Sequence, residues 1–414
     1  MKLDFRVARA TDLPELVALE NRTFSHDRLS PRSLAWMVNR AHAAFTVAEH
    51  EGAVVGYALV LFHRGTSLAR LYSLAIAEHL QGRGIGRQLL EQAERCAHAH
   101  DCAYLRLEVR VDNPAAIALY ERAGYRRFAV IDDYYEDHAG ALRYEKRIRQ
   151  PRQAGTRRVP YYPQSTDFTC GPACLLMAMA ALYPQRAMER REEVQLWREA
   201  TTVFMTAGHG GCSPQGLALA AWRRGFRVRL QVSRRGPLFL EGVRSEDKRA
   251  VMRLVHEVFL DALAGSDVEQ VEAPWAELDG GLRAGGVLLV LISSYRLTRS
   301  KSPHWVVVTG CDEDFVYLHD PDVDHSRQPL DCQHLPVSRE AFARMSAFGR
   351  HKLRASVTLF RREGSVAAEA QPGDAVVDHA AVGLHGLQPL FGHVATGEGA
   401  HGGDPLPDAL LPQA

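Results

Sequence analysis

Gly82, Gly84 and Gly86, spaced in Gln81-Gly-Arg-Gly-Ile-Gly-Arg87, stand where an apolar strand pattern ends and an amphipathic helical one begins. Glycine at such a junction lets the backbone approach a ligand closely, and the helix that follows aims amide N–H groups and its positive end at an anion. The spacing is neither the dinucleotide fingerprint, whose third glycine is missing, nor a Walker A loop, since no Gly-Lys-Ser/Thr follows. A tight structural turn would use the same glycines, so the loop needs its surroundings to be interpreted.

Those surroundings alternate strand and helix. Phe45 to Glu49 and Ala53 to Phe62 read as two strands about a turn at Glu51-Gly52, and Leu71 to Ile76 as a third. A helix from Arg87 to His100, a strand from Ala103 to Val109, a helix from 114 to 123 ended by Gly124 and a closing strand pair up to Arg149 complete an α/β domain, residues 1–148. Residues 149–158 are polar, basic and aperiodic, which marks a linker. A second domain, 159–362, opens on an extended segment and an apolar helix, Gly171 to Leu182, stopped by Pro184. Its middle reads as helical, including Ser245 to Leu263, and strands are expected at Gly286 to Ile292, Trp305 to Thr309, Phe315 to Leu318 and Ser356 to Phe360. Residues 363–414, with no Lys or Arg after Gly364, read as a disordered tail.

Composition narrows the partners. Fifty Lys+Arg against 49 Asp+Glu leave a formal charge of +1, so no global field draws the chain to nucleic acid or an anionic membrane. The start, Met1-Lys-Leu-Asp-Phe-Arg-Val, is charged where a signal peptide is apolar, and no apolar run approaches the ~20 residues of a membrane helix. Seven cysteines, at 96, 102, 170, 174, 212, 311 and 332, have no repeated spacing and form no zinc-ligand set; a cytoplasmic protein without disulfides or metal is expected.

Three blocks, Leu71-Tyr-Ser-Leu-Ala-Ile, Gln81-Gly-Arg-Gly-Ile-Gly-Arg-Gln-Leu-Leu and Leu107-Glu-Val-Arg-Val-Asp-Asn-Pro-Ala-Ala-Ile-Ala-Leu-Tyr-Glu-Arg-Ala-Gly-Tyr, together resemble the GNAT acetyltransferases. Among these they are similar to the bacterial enzymes that acetylate the N-terminal alanine of a ribosomal protein. The resemblance spans residues 3 to 148 and implies a mixed-sheet fold with acetyl-CoA as acyl donor. It implies that the thioester lies along Leu74, Ala75 and Ile76, that the pyrophosphate sits on Gly82, Arg83, Gly84, Ile85, Gly86 and Arg87, and that Asn113 meets the cofactor arm. Glu108 and Tyr120 match the family's base and acid, and partial burial of Glu108 among apolar strand residues would raise its pKa toward the working range. An ion pair of Glu108 with Arg106 or Arg110 and a packing role for Tyr120 are the structural alternatives. A peptide α-amine, with a reference pKa of roughly 7.7–8.0, is an easier nucleophile than lysine. Tyr134-Tyr135 resemble an aromatic pair lining the relatives' peptide groove, while Phe24-Ser-His-Asp departs from their acceptor side.

In the second domain, Pro163-Gln-Ser-Thr-Asp-Phe-Thr-Cys-Gly-Pro-Ala-Cys puts Cys170 at the start of a helix, where the dipole favours thiolate. His304 opens one apolar strand and Asp320 ends the next; if the two pair antiparallel, Asp320 reaches the imidazole. Gln164 offers a side-chain amide to an oxyanion hole. Together these look like the bacteriocin-processing, papain-like cysteine peptidases, and the resemblance implies Cys170 as nucleophile, His304 as base and acid, Asp320 as orienter and Gln164 as oxyanion donor. Thr169 departs from the family's Asp-Cys-Gly. His319 would point to the opposite face, and His209 is a loop histidine that could line the cleft. The expected whole is an N-acetyltransferase for a peptide or protein amine fused to a peptidase. The alternatives for the second domain are a peptide-binding module and a small-amide or isopeptide hydrolase or transamidase.

Overall fold

The computed structural model describes residues 1–39, 42–149, 155–156, 158–205, 208–240, 243–271, 278–298, 302–323 and 329–362, so the expected tail at 363–414 lies outside the described residues. The chain divides into two compact units, the first holding residues 1–62 and 69–149 and the second holding the short segment His63–Leu68 together with the described residues beyond 149.

In the first unit the strands are β1 (Asp4–Val7), β2 (Ala43–His50), β3 (Ala53–Phe62), β4 (Leu68–Ile76), β5 (Tyr104–Arg110), β6 (Arg126–Ile131) and β7 (Ala141–Arg147). Four helices accompany them: α1 (Leu13–Thr23), α2 (Pro31–Asn39), α3 (Ile85–Ala99) and α4 (Pro114–Arg122). The strands form one sheet in the order β1-β2-β3-β4-β5-β7-β6. Glu51 and Gly52 join β2 to β3 with φ of 50° and 84°. Two successive positive φ values suit a tight hairpin whose twist matches its strands, and His50 pairs with Ala53 across it.

Both faces of the sheet are covered. Ile85, Leu89, Leu90, Ala93 and Ala97 of α3 recur at helical spacing and join Val60, Leu71 and Leu107 in one core. Leu16 and Leu19 of α1, with Leu34 and Met37 of α2, pack with Tyr57 and Leu59 in the other. On β4 the register slips: Leu59 pairs with Ser73 and Val60 with Leu71, so Tyr72 is an extra, bulged residue. Bulges re-aim a strand locally, and this one immediately precedes Leu74-Ala75-Ile76.

The second unit contains α5 (Cys170–Leu182), α6 (Arg190–Ala200), α7 (Pro214–Arg223), α8 (Glu246–Ala264), α9 (Leu278–Arg283), α10 (Tyr295–Thr298) and α11 (Arg339–Met345). Its strands are β8 (Gly155–Thr156), β9 (Phe204–Met205), β10 (Gly208–His209), β11 (Arg227–Val232), β12 (Glu269–Val271), β13 (Val287–Ser293), β14 (Pro303–Cys311), β15 (Phe315–His319), β16 (Leu335–Ser338) and β17 (Ala355–Phe360). The main sheet runs β12-β11-β17-β13-β14-β15-β16, and β8, inside the stretch that reads as a linker, pairs with β14. The expected helical middle is corrected here: after Gly225, at φ 85°, Val228, Leu230 and Val232 alternate with Arg227, Arg229 and Gln231, and β11 pairs with β17. That is a strand periodicity, with one side of β11 buried.

Helix α5 is apolar all round, and every residue in it except Ala181 is buried, against β13, β14 and the neighbouring helices. Close helix packing beside it depends on Gly216 of α7, where a Cβ would lie 2.6 Å from Ala200 Cα and 2.7 Å from its carbonyl oxygen. Gly216→Ala therefore overpacks a backbone contact and is expected to lower stability by about 1–3 kcal/mol, read from urea unfolding of the whole chain.

Two candidate active sites

In the first unit, Gly82 and Gly84 have φ of 76° and 79°, a conformation that side chains resist, and a Cβ on either would point into open space. Gly86 is required for another reason: its Cβ would lie 3.0 Å from Ile76 Cδ1 and 3.3 Å from Leu119 Cδ2, between β4 and α4. Gly84 is the N-cap of α3, and no side chain caps the helix. The first-turn amides, which no helix satisfies internally, thus lack a side-chain acceptor at the end of β4. Ile85 is buried, Arg83 and Arg87 are exposed, and Arg87 pairs with Glu91 at 3.1 Å. Such a cradle fits a pyrophosphate. Asn113 caps α4, its Oδ1 accepting the Ala116 N–H at 3.0 Å, and the residue is exposed.

The surroundings of Glu108 correct an expectation. Arg70 Nε donates to Oε2 at 2.7 Å and Arg143 Nε to Oε1 at 2.9 Å, with the carboxylate side chain 6% exposed. Its partners are Arg70 and Arg143 rather than Arg106 or Arg110. Both oxygens already accept charge-assisted bonds, so burial among apolar residues is not what governs this carboxylate. Arg70 also donates to Tyr134 Oη, linking Glu108 to the loop after β6. Tyr134 and Tyr135 belong to that loop rather than to a strand; they are half-buried and meet edge to face, 5.0 Å between ring centres. Asp27 Oδ1 accepts the Glu136 N–H at 3.2 Å, which ties the loop after α1 to the same loop. Burial pushes the Tyr120 hydroxyl up to about 12, so the group stays protonated at neutral pH.

In the second unit Cys170 is the first residue of α5 and is buried. Thr169 precedes it but does not cap the helix; its Oγ1 turns back to the Thr166 carbonyl at 3.0 Å. Trp305 beside His304 donates from Nε1 to the Cys212 carbonyl at 3.2 Å, and Gly171 admits Cys212 and Leu217 against the helix start. Strands β14 and β15 pair antiparallel, Val307 opposite His319, and the turn after β15 brings Asp320 back to His304. His304 Nε2 lies 2.7 Å from Asp320 Oδ1, both side chains buried. With Nε2 on the carboxylate, Nδ1 is the nitrogen left free, and Cys170 is close enough to act on the imidazole electrostatically. Burial alone would lower the proton affinity of His304, but the charge and hydrogen bond of Asp320, with Cys170, hold it well above the usual histidine range. Cys174 and Cys212 are pushed well up by burial, with Cys170 adding to the shift.

His319 is excluded as the competing imidazole. Its Nδ1 accepts the His334 N–H at 2.9 Å, its Nε2 lies 2.9 Å from the Val159 carbonyl, and burial pulls it down to about 4. That pairing fits one neutral tautomer. Gln164 is held near Asp320 through its N–H to the Pro321 carbonyl at 2.9 Å, but its Nε2 reaches Asp322 Oδ1 at 3.5 Å while Oε1 is buried without a partner among the described residues. His209 is exposed and stacks on Phe168 at 4.5 Å. The sequence reading missed Glu193, a buried carboxylate on α6 that accepts Ser165 N–H at 2.8 Å and Tyr162 Oη–H at 3.0 Å and so fixes the segment carrying Gln164. A buried acid in an otherwise charged, amphipathic helix was its only signal. Among the described residues, no group of three metal-ligating side chains gathers and no helix is long and apolar enough to cross a membrane.

Comparison with known proteins matches residues 13–125 to the Acetyltransferase (GNAT) family and residues 159–360 to the Peptidase_C39 like family. An uncharacterized N-acetyltransferase of Methanocaldococcus jannaschii is 40% identical over 99 residues, 24% of this chain and 62% of that protein, less than two thirds of its length. An N-alpha-acetyltransferase of Sulfurisphaera tokodaii is 30% identical over 143 residues, 32% of this chain and 85% of the relative. A solved ribosomal-protein-alanine N-acetyltransferase from Brucella melitensis is 25% identical, with a TM-score of 0.32 and coverage of 35% of this chain and 99% of that one.

The neutral, buried His319 makes acid unfolding predictable. Between about pH 6.5 and 4 the unfolded chain takes up a proton on this imidazole that the folded chain refuses, so stability falls as pH falls, by about 3 kcal/mol over the window. Urea midpoints of the full chain across that range should show the loss, and His319→Gln should flatten the slope by about one proton.

Proposed function

Because the chain belongs to the GNAT acetyltransferase family and carries a Peptidase_C39-like domain behind it, we propose that it acetylates a peptide or protein amine, preferentially an N-terminal one, and cleaves peptide bonds at Cys170. The family uses acetyl-CoA, which when bound supplies an acyl group activated as a thioester. The residues that would hold it are Leu74, Ala75 and Ile76 along β4, the backbone from Gly82 to Arg87, and Asn113. The observation that favours this placement is the uncapped α3 N-terminus behind two positive-φ glycines. Tyr120, protonated at working pH, is the proton donor for the departing sulfur. Glu108, Arg70 and Tyr134 form a linked wall that orients the acceptor.

The peptidase reading is carried by one observation, the buried 2.7 Å bond between His304 Nε2 and Asp320 Oδ1, which leaves Nδ1 for the thiol of Cys170 at the start of α5. Asp320 holds the imidazole, His304 takes the Cys170 thiol proton, Sγ attacks the scissile carbonyl, and the C–S bond forms as the carbonyl electrons move onto oxygen. The Cys170 N–H, in the first turn of α5, and the Gln164 amide, once turned from its long bond to Asp322, donate to that oxygen. His304 then protonates the leaving amine as the C–N bond breaks, and water, deprotonated by His304, hydrolyses the acyl-enzyme. The second domain thereby produces new α-amines, which are the acceptor class proposed for the first.

Mass spectrometry of a diverse peptide mixture incubated with the intact protein, with and without acetyl-CoA, tests both activities. Cys170→Ala is expected to abolish cleavage and leave acetylation unchanged, and His304→Ala to lower cleavage by about 10²–10⁴-fold. Acetylation with no Cys170-dependent cleavage would reduce the second domain to a recognition module or a small-amide hydrolase.

A further inference from the structure

The first unit holds a second buried glutamate that the reading above does not use. Glu20 of α1 is 1% exposed, yet among the described residues no arginine hydrogen-bonds its carboxylate. Oε1 accepts the Leu29 N–H at 2.7 Å and Oε2 accepts the hydroxyl of Tyr57 on β3. Tyr57 Oη also lies 2.9 Å from Ser73 Oγ. A phenol has one proton, and an ionised carboxylate can only accept, so that proton points to Glu20 and Ser73 must be the donor to Tyr57. The lone pairs of Ser73 are then left to receive a proton from elsewhere. Ser73 is half-buried and directly precedes Leu74, at the β4 bulge.

We propose that Ser73, Tyr57 and Glu20 form a proton relay that deprotonates the acceptor amine, with Glu20 as its terminus. The inference rests on the acetyltransferase reading and specifies how its first step proceeds. The ammonium N–H proton passes to Ser73 Oγ, the Ser73 proton to Tyr57 Oη and the Tyr57 proton to Glu20 Oε2, leaving a neutral amine and a carboxylic acid. The amine lone pair then forms the C–N bond with the thioester carbonyl carbon, the C–S bond breaks with its electrons on sulfur as Tyr120 protonates that sulfur, and the second N–H proton restores the Tyr120 hydroxyl. Ser73 touches the amine; Glu20 and Tyr57 act through it.

The two glutamates differ in what surrounds them. Glu108 sits between two guanidiniums. Burial pushes Glu20 up from the usual carboxylate range, only partly offset by the Tyr57 and Leu29 bonds and by Arg28. The titratable and charged groups facing Glu20 are Tyr57 on β3, Arg28 in the loop after α1 and Tyr72 on β4. Burial with only neutral hydrogen bonds gives Glu20 the raised proton affinity that the end of a relay needs.

The test uses the full chain and the peptide it acetylates fastest. A neutral amine needs no base, so Ser73→Ala should lower kcat/KM about 10²-fold at about pH 6.5 and less than about threefold at pH 9.5, above the usual α-amine pKa. Ser73→Thr, which keeps the hydroxyl, should restore the rate at pH 6.5. Glu108→Gln should show a deficit independent of pH. A Ser73→Ala deficit equal at both pH values, or a pH-dependent deficit in Glu108→Gln and none in Ser73→Ala, overturns the relay. A second readout needs no acyl donor: infrared spectra of the protein alone should show a carboxylic-acid carbonyl band that persists above about pH 4.3, where ordinary glutamates ionise, and is missing from Glu20→Gln. Absence of that band from the wild type overturns the relay as well. A wild type that acetylates no amine would overturn the acetyltransferase reading, and the infrared band still decides the state of Glu20.

Discussion

Burial of α5 against β13 and β14 is the constraint on which the second domain is organised. Its first residue has to be a group that tolerates enclosure at a helix N-terminus, and Cys170 does so because His304 and Asp320 lie beside it. Its remaining residues make the core continuous with the sheet. An isolated ion pair or a lone thiolate would be costly in such a place. The imidazole and carboxylate bond each other beside the thiol, so the cluster on which the proposed peptidase chemistry rests also closes the core at that end.

Partner identity organises the first domain in the same way. Two glutamates, both nearly inaccessible, sit on either side of β4. Arginines hold one, and neutral hydroxyl and amide donors hold the other. A carboxylate between guanidiniums is an anchor, because its charge is already matched. One that accepts only neutral hydrogen bonds in a dry site keeps an appetite for a proton. Residue type is the same in the two cases, and what distinguishes them most is which side chains the neighbouring strands and loops bring up.

Local patterns were legible wherever the deciding contacts are close in sequence. The Glu51-Gly52 hairpin, the glycine loop into α3, the all-apolar α5 and the strand ends bearing His304 and Asp320 could all be recognised, because turn chemistry and periodicity act over a few residues. The strand β11 does not stand out from a middle that reads as helical, although Val228, Leu230 and Val232 alternate, since it lies between two helical stretches and its pairing with β17 is more than a hundred residues away. The place of Tyr134 and Tyr135 in a loop, and their contact with each other, were likewise set by distant partners, Arg70 and Asp27.

The sequence by itself determined the two-domain architecture and the identities of the residues that could do chemistry. A glycine triplet before a helix and a cysteine at a helix start each have few physical uses. Tertiary structure alone decided which of those residues are usable. It tied Glu108 to Arg70 and Arg143, turned the second imidazole, His319, into a neutral strut, and set Glu20 at the end of a line of hydroxyls leading to β4. The reason is that the state of a titratable group depends on the charges and dipoles within a few ångströms of it, and in a folded chain those come mostly from residues far away in sequence.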